Sequence, residues 1–334
     1  MRQEAAVNFD PFAVPVERSD DVTQAGGFGL GIVTVPMWSV PTEYFNKYRN
    51  LAMGILATGA GCGIFLFPRL FVHCIEQYSW RGSMLINAGV TLHLVVCGAL
   101  MSPSENANNT HSRKHTYRQL FKTDKLFFFA IGCFCWAGSG QVFYQMMPTF
   151  AWHNEVKRTD IVWITSAVGL TDICARLLAA LLNHTVAKEH TVFLYASAVF
   201  LDALSIFTLT LCSSLATFIL DGMFFGFAFG MMMGSHGASA FDVFGFQQFP
   251  DAIGVGMFAA SIGGLSIPLI AGILGDRYGI VWTFRFAAAV AATGSINVFT
   301  LAVRKRLTPP PAENSLQSKR NTFQRRQSST MQML

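Results

Sequence analysis

The chain has 334 residues, of which 52% are hydrophobic and only 13% charged, with a formal net charge of +5. Ordinary soluble domains carry about 25% charged residues, so a conventional soluble protein is excluded. The basic residues flank apolar segments and the C-terminal tail instead of covering one face, which argues for membrane topology and against nucleic-acid binding.

Residues 1–23 are polar and mixed in charge, have no apolar core that could serve as a signal peptide, and read as a disordered leader. A bilayer-crossing helix needs about 20 mainly apolar residues, because the hydrocarbon layer is about 30 Å thick and each residue rises about 1.5 Å. Nine stretches qualify or come close: Gln24 to Pro41, Leu51 to Ile75, Met84 to Met101, Leu126 to Phe150, Ile161 to Leu182, Thr191 to Cys212, Leu215 to His236, Ala252 to Leu274 and Ile280 to Val303. The expected fold is an all-α membrane protein, a helical bundle of about nine transmembrane helices. Residues 24–102 would form a partial N-terminal bundle of three helices, 103–124 a basic cytoplasmic linker, 125–303 a C-terminal six-helix bundle, and 304–334 a disordered basic cytoplasmic tail.

Orientation follows from Lys and Arg in alternate connections, since cytoplasmic loops are enriched in them. One side carries fifteen, among them Lys47, Arg49, Lys188 and the tail residues from Arg304 onward. The other carries only Arg81, Lys157, Arg158 and Arg277. That places linker and tail in the cytoplasm, where the sequons at Asn108 and Asn183 would stay unmodified. Nine spans with a cytoplasmic tail put the leader outside, so further helices are expected upstream.

The seven cysteines all lie in apolar stretches, and the Cys133, Cys135 spacing fits neither a zinc site nor a redox CxxC, so core packing is expected. No cofactor is implied, and no P-loop, dinucleotide-binding, HExxH or GxSxG pattern supports an enzyme.

The sharpest local feature is Thr171-Asp172-Ile173-Cys174-Ala175-Arg176 in the fifth stretch. Asp172 and Arg176 are four apart and share a helix face. A charge at the centre of a bilayer helix costs about 2.5–3.5 kcal/mol on insertion scales, so such residues face a cavity or a partner. Arg adds a planar fork suited to carboxylate. Two readings follow: a substrate anion held at Arg176 beside a protonatable Asp172, or a self-neutralising ion pair between helices. Arg69, His73, His93, Asp202, Asp221, His236, Asp242 and Arg285 also sit in or near spans. Most are near stretch ends, where snorkelling or capping accounts for them, while His93 and Asp202 lie deeper. In the seventh stretch Gly222, Gly226, Gly230 and Gly234 recur every four residues, a small-residue stripe for close helix packing. Gly and Pro also cluster around Gly54 to Pro68 and Gly263 to Gly272, a pattern of bendable helices found in transporter folds.

In combination, several segments resemble the monocarboxylate transporter family of the major facilitator superfamily. Tyr44 to Gly54 is similar to the basic connection between the family's fourth and fifth helices, and Trp80-Arg81-Gly82 through Met101 to its sixth helix. Asp172 and Arg176 match its eighth-helix pair for proton and substrate-anion handling. Phe224 to Gly230 resembles the tenth helix, with Phe229 lining the substrate path, and Gly272 to Gly279 the end of the eleventh. The resemblance implies that the nine stretches are helices four to twelve of twelve, and that the family's first helix, with its lysine, has no counterpart here. It also implies a plasma-membrane secondary transporter moving monocarboxylates or related small organic solutes by alternating access, with symport as the family's mode, although the family's proton coupling is not carried over because that lysine has no counterpart. The expected substrate-binding residues are Arg176, Asp172 and Phe229, the expected partners the solute, a proton and, in some members, a single-pass accessory glycoprotein. Met233 stands where some lactate-transporting members have a small polar residue. The alternative is a truncated, non-transporting isoform acting as an interaction or regulatory protein.

Overall fold

The computed structural model describes residues 34–42, 44–45, 47–100, 123–185 and 190–307. The expected leader, nearly all of the linker and the tail beyond Leu307 lie outside them, as does Asn108. Among the described residues regular structure is entirely helical: a segment over residues 34–42 (α1), then α2 (Arg49–Ala99), α3 (Asp124–His153), α4 (Arg158–Thr185), α5 (Thr191–Thr208), a short 3-10 turn (Leu209–Leu211), α6 (Leu215–Tyr278) and α7 (Ile280–Leu307).

Six of these helices are long and apolar enough to cross a bilayer, a count that differs from the nine expected because two of them each join two of the expected stretches across a break. The physical reason lies in α2 and α6, with 51 and 64 residues, each of which holds two apolar stretches. A straight helix as long as α6 would run about 96 Å, three times the hydrocarbon thickness. Each is broken instead at one residue, Ser79 in α2 (φ 58°, ψ 175°) and Gly245 in α6 (φ 71°, ψ 176°). Only glycine adopts such dihedrals without strain, so Gly245 meets the requirement and Ser79 is strained. The chain doubles back at both places. Phe129 on α3 lies 5.5 Å, ring to ring, from His236 before the break and within 2.6 Å of where a Cβ on Gly256, beyond it, would stand. Phe67 and Val90, on either side of Ser79, line one small cavity.

The glycine stripe sets the closest packing. Gly222, Gly226, Gly230 and Gly234 of α6 stand in order against Ile164, Val168, Asp172 and Ala179 of α4, so the two helices run parallel in backbone contact. A Cβ on Gly230 would lie 2.6 Å from the Asp172 carbonyl oxygen, and one on Gly234 2.8 Å from Ala179 Cβ. The other face of α4 is packed as closely: Gly54 and Gly61 of α2 meet Ala180 and Asp172, and Gly169 meets Phe65, an antiparallel pairing. α4 is thus clamped between α2 and α6 by glycines on both sides.

Connections that the charge count assigns to one side of the membrane gather at one end of the bundle. There Lys305 pairs with Asp242, Arg304 Nη1 lies 3.4 Å from Asp124 Oδ2, Asn50 Nδ2 donates to the Asn183 carbonyl at 3.2 Å, and the Arg49 guanidinium stands 4.0 Å from the Phe241 ring centre. The outer surface is apolar, with Leu85, Phe258 and Leu265 at least 70% exposed, as expected where lipid is the solvent. Of the seven cysteines, Cys74, Cys133, Cys135 and Cys212 are buried, but Cys62, Cys97 and Cys174 lie on this surface, so core packing does not account for them. His93 is likewise on the surface, bonded to its own helix at the Gly89 carbonyl, because its face of α2 has no neighbour among the described residues.

Candidate functional site

α4 carries the charged pair. Asp172 and Arg176 are both buried, and Arg176 Nε donates to Asp172 Oδ2 at 2.8 Å. Arg176 Nη1 donates to the Ala57 carbonyl of α2 at 2.9 Å, so the guanidinium ties α4 to α2 across their shared face. Gly61 makes room for the carboxylate, since a Cβ there would lie 2.5 Å from Asp172 Oδ2. The second carboxylate oxygen, Asp172 Oδ1, is buried without a hydrogen-bond partner. Two guanidinium nitrogens are therefore engaged by one carboxylate and one carbonyl, an arrangement a second carboxylate could enter by exchange.

Phe229 of α6 covers the pair. Its ring centre is 6.0 Å from the Arg176 guanidinium, and it also meets Trp136 (6.4 Å), Tyr144 (5.8 Å) and Phe225 (5.5 Å). Phe229 also lines a cavity of about 750 Å³ between α1, α3 and α6, together with Trp136, Gln141, Tyr144, Gln145 and Ser261 among others. The cavity's size suits a small organic molecule. The structure thus brings Asp172, Arg176 and Phe229 together, with Phe229 alone of the three among the residues that line the cavity. The Trp136 indole nitrogen and the Tyr144 hydroxyl are both buried without a partner and belong to residues on that wall.

Sequence reasoning did not single out the α3 wall. Trp136, Gly140, Gln141, Tyr144 and Gln145 recur at helical spacing, so a polar stripe inside the fourth apolar stretch was the signal available. His236 is a further correction. It is fully buried and not a stretch-end group, because the hairpin at Gly245 draws it under α1, α3 and α5. Trp38, Phe129, Trp136 and Tyr195 surround it at 5.5–5.9 Å, its Nδ1 lies 3.2 Å from the Tyr195 hydroxyl, and its Nε2 has no partner. Asp221 is buried as well, its Oδ1 accepting from Thr208 at 2.6 Å. Asp202 of α5 is fully buried with neither carboxylate oxygen partnered.

A sequence profile described as the Major Facilitator Superfamily matches residues 25–234 and 154–331. The chain belongs to the major facilitator superfamily. Asp172, Arg176 and Phe229 of this superfamily member all lie where the two matched ranges overlap. Among curated proteins, it is 27% identical over 282 residues to "Monocarboxylate transporter 12" of Xenopus laevis, covering 76% of this chain and 61% of that protein. It is 27% identical over 306 residues to "Monocarboxylate transporter 4" of Rattus norvegicus, covering 84% and 63% respectively. A shorter match, 43% over 88 residues, is to "Monocarboxylate transporter 14" of Homo sapiens, covering 25% and 17%. The chain spans about three fifths of the length of the relatives it matches most extensively. Six apolar crossing helices and this membership make it a multi-pass membrane protein of a transporter family.

Proposed function

We propose that the chain moves small organic anions, monocarboxylates foremost, across the plasma membrane by alternating access, with Arg176 as the anion site. The observation that carries this is the buried Asp172–Arg176 bond at 2.8 Å, beside an aromatic ring that lines a cavity. An incoming carboxylate reaches the guanidinium when Phe229 turns aside and takes the place of Asp172 on the fork. Asp172 then holds an uncompensated buried charge, and taking up a proton removes it. Substrate and proton would move together for that reason, which makes the exchange a symport. Glycine contacts on both faces of α4 let the helices shift against one another without interlocked side chains. The end that gathers Arg49, Asn183, Lys305 and Arg304 is taken as cytoplasmic from the Lys and Arg count.

Uptake of radiolabelled short-chain monocarboxylates tests the proposal. Cells would express this chain, alone and joined to the N-terminal part of a curated relative, with surface abundance measured in parallel. Uptake that is lost in Arg176→Ala supports the anion site. Uptake that survives Arg176→Ala at equal abundance moves the site elsewhere.

A further inference from the structure

At the end of the bundle remote from the Ser79 turn, α5 and α7 run antiparallel. Phe193 meets Phe299 at 5.6 Å, and Ser295 Oγ donates to the Ala196 carbonyl at 3.4 Å. Where α5 begins and α7 ends, a cavity of about 250 Å³ opens between them, lined by His190, Val192, Phe193, Ala302, Lys305 and Arg306. Three of these six side chains are basic or can become so.

Among the described residues, which leave out Glu189 next to His190, the charge balance of this pocket is one-sided. The N-terminus of a helix carries a partial positive charge and is normally met by a Ser, Thr, Asp or Asn cap or by acidic residues in the first turn. α5 has no side-chain cap and no acidic residue in its first turn, and Val192 and Phe193 of that turn line the cavity. α7 closes on Arg304, Lys305 and Arg306. Arg304 turns toward Asp124, and Lys305 is paired with Asp242, the one acidic group that meets the lining among the described residues. Arg306 and His190 have no acidic partner among the described residues. The pocket also lies at the end of two apolar spans, where lipid headgroups sit, and its floor of Val192, Phe193 and Ala302 is apolar. Basic pockets between transmembrane helices bind phosphorylated headgroups, and each nearby Lys or Arg contributes to that attraction.

We propose that the cavity between the start of α5 and the end of α7 is a binding site for a phosphate-bearing anion, seated between the first turn of α5 and Arg306. An anionic phospholipid headgroup and a soluble phosphate ester offer the same chemistry. The pocket itself does not depend on the substrate reading above. Only the choice of membrane leaflet depends on the proposed orientation.

The test uses the whole chain in phosphatidylcholine nanodiscs, without and with about one tenth phosphatidylinositol 4,5-bisphosphate, with retained lipid counted by native mass spectrometry. A second arm adds soluble inositol phosphate to the plain nanodiscs. Removing one basic residue should lower occupancy about five-fold. Arg306→Gln and the double variant Arg306→Gln/His190→Gln should lower occupancy in that order. Arg306→Lys should keep most of it, and Arg277→Gln at the opposite end should change nothing. Retention of the lipid without binding of the soluble ester identifies a headgroup as the source, and binding of both identifies a general phosphate site. Equal retention of charged and zwitterionic lipid, or occupancy unchanged by Arg306→Gln in protein that still elutes as a folded monodisperse species, would overturn the proposal. A failure here with intact uptake leaves the anion site at Arg176 standing, and the converse holds equally.

Discussion

Of the acidic residues buried in this bundle, Asp172 and Asp202 lie in opposite circumstances. Asp172 on α4 has its counter-charge one turn away at 2.8 Å, a glycine on the facing helix cut to fit it, and a cavity lined by the ring that covers its partner. Asp202 on α5 is equally buried, yet neither of its oxygens has a partner. A paired buried charge can exchange partners, whereas a lone one can only be neutralised or removed. On the proposed reading the difference separates an anion site from a polar residue that the bundle merely tolerates.

The largest effect is expected at Arg176. Arg176→Ala leaves Asp172 buried without its counter-charge, a loss of about 3–5 kcal/mol for a broken buried pair, and abolishes uptake. The double variant Asp172→Ala/Arg176→Ala should recover most of the thermal stability in detergent without recovering uptake. If the double variant also recovers uptake, the pair is structural. Next comes the glycine clamp. Gly230→Ala drives a Cβ to 2.6 Å from the Asp172 backbone oxygen, which cannot yield. It should destabilise the protein by about 1–3 kcal/mol, whereas Gly89→Ala, with nothing within 4 Å, should be neutral or slightly stabilising. Equal melting temperatures for the two would remove the clamp from the account. The smallest effect belongs to Asp202, where Asn is close in size and carries no charge. Asp202→Asn should change stability by less than about 1 kcal/mol or raise it, and a severe loss of uptake in a well-folded variant would make Asp202 part of the machinery.

The sequence showed some of this directly and hid the rest for definable reasons. Apolar stretches, the Asp172 and Arg176 spacing and the glycine stripe were all legible, because helical period and hydrocarbon thickness act on local sequence. What was not legible is that helix continues right up to Ser79 and Gly245, although both breaks fall in the gaps between expected stretches, Ile75 to Met84 and His236 to Ala252. The position of His236 was equally hidden. Its distance from the stretch end suggested a capping or snorkelling role, and only the reversal at Gly245 brings Trp38, Phe129, Trp136 and Tyr195 around it. Phe229 was named as part of the path, but its place beside Arg176 and on the cavity lining depends on α4 and α6 packing in parallel, a tertiary fact. The polar stripe on α3 was written in the spacing of Trp136, Gln141, Tyr144 and Gln145, and it becomes a wall only where α1 and α6 face it.

The central claim is that substrate and Asp172 compete for one guanidinium, and Asp172→Asn tests it most directly. The measurement is monocarboxylate binding together with proton movement in vesicles containing this chain joined to the N-terminal part of a relative. With the competing carboxylate gone, binding should tighten several-fold while proton uptake accompanying the solute disappears. Unchanged affinity with proton movement intact would show that the two carboxylates never exchange on Arg176 and would contradict the account.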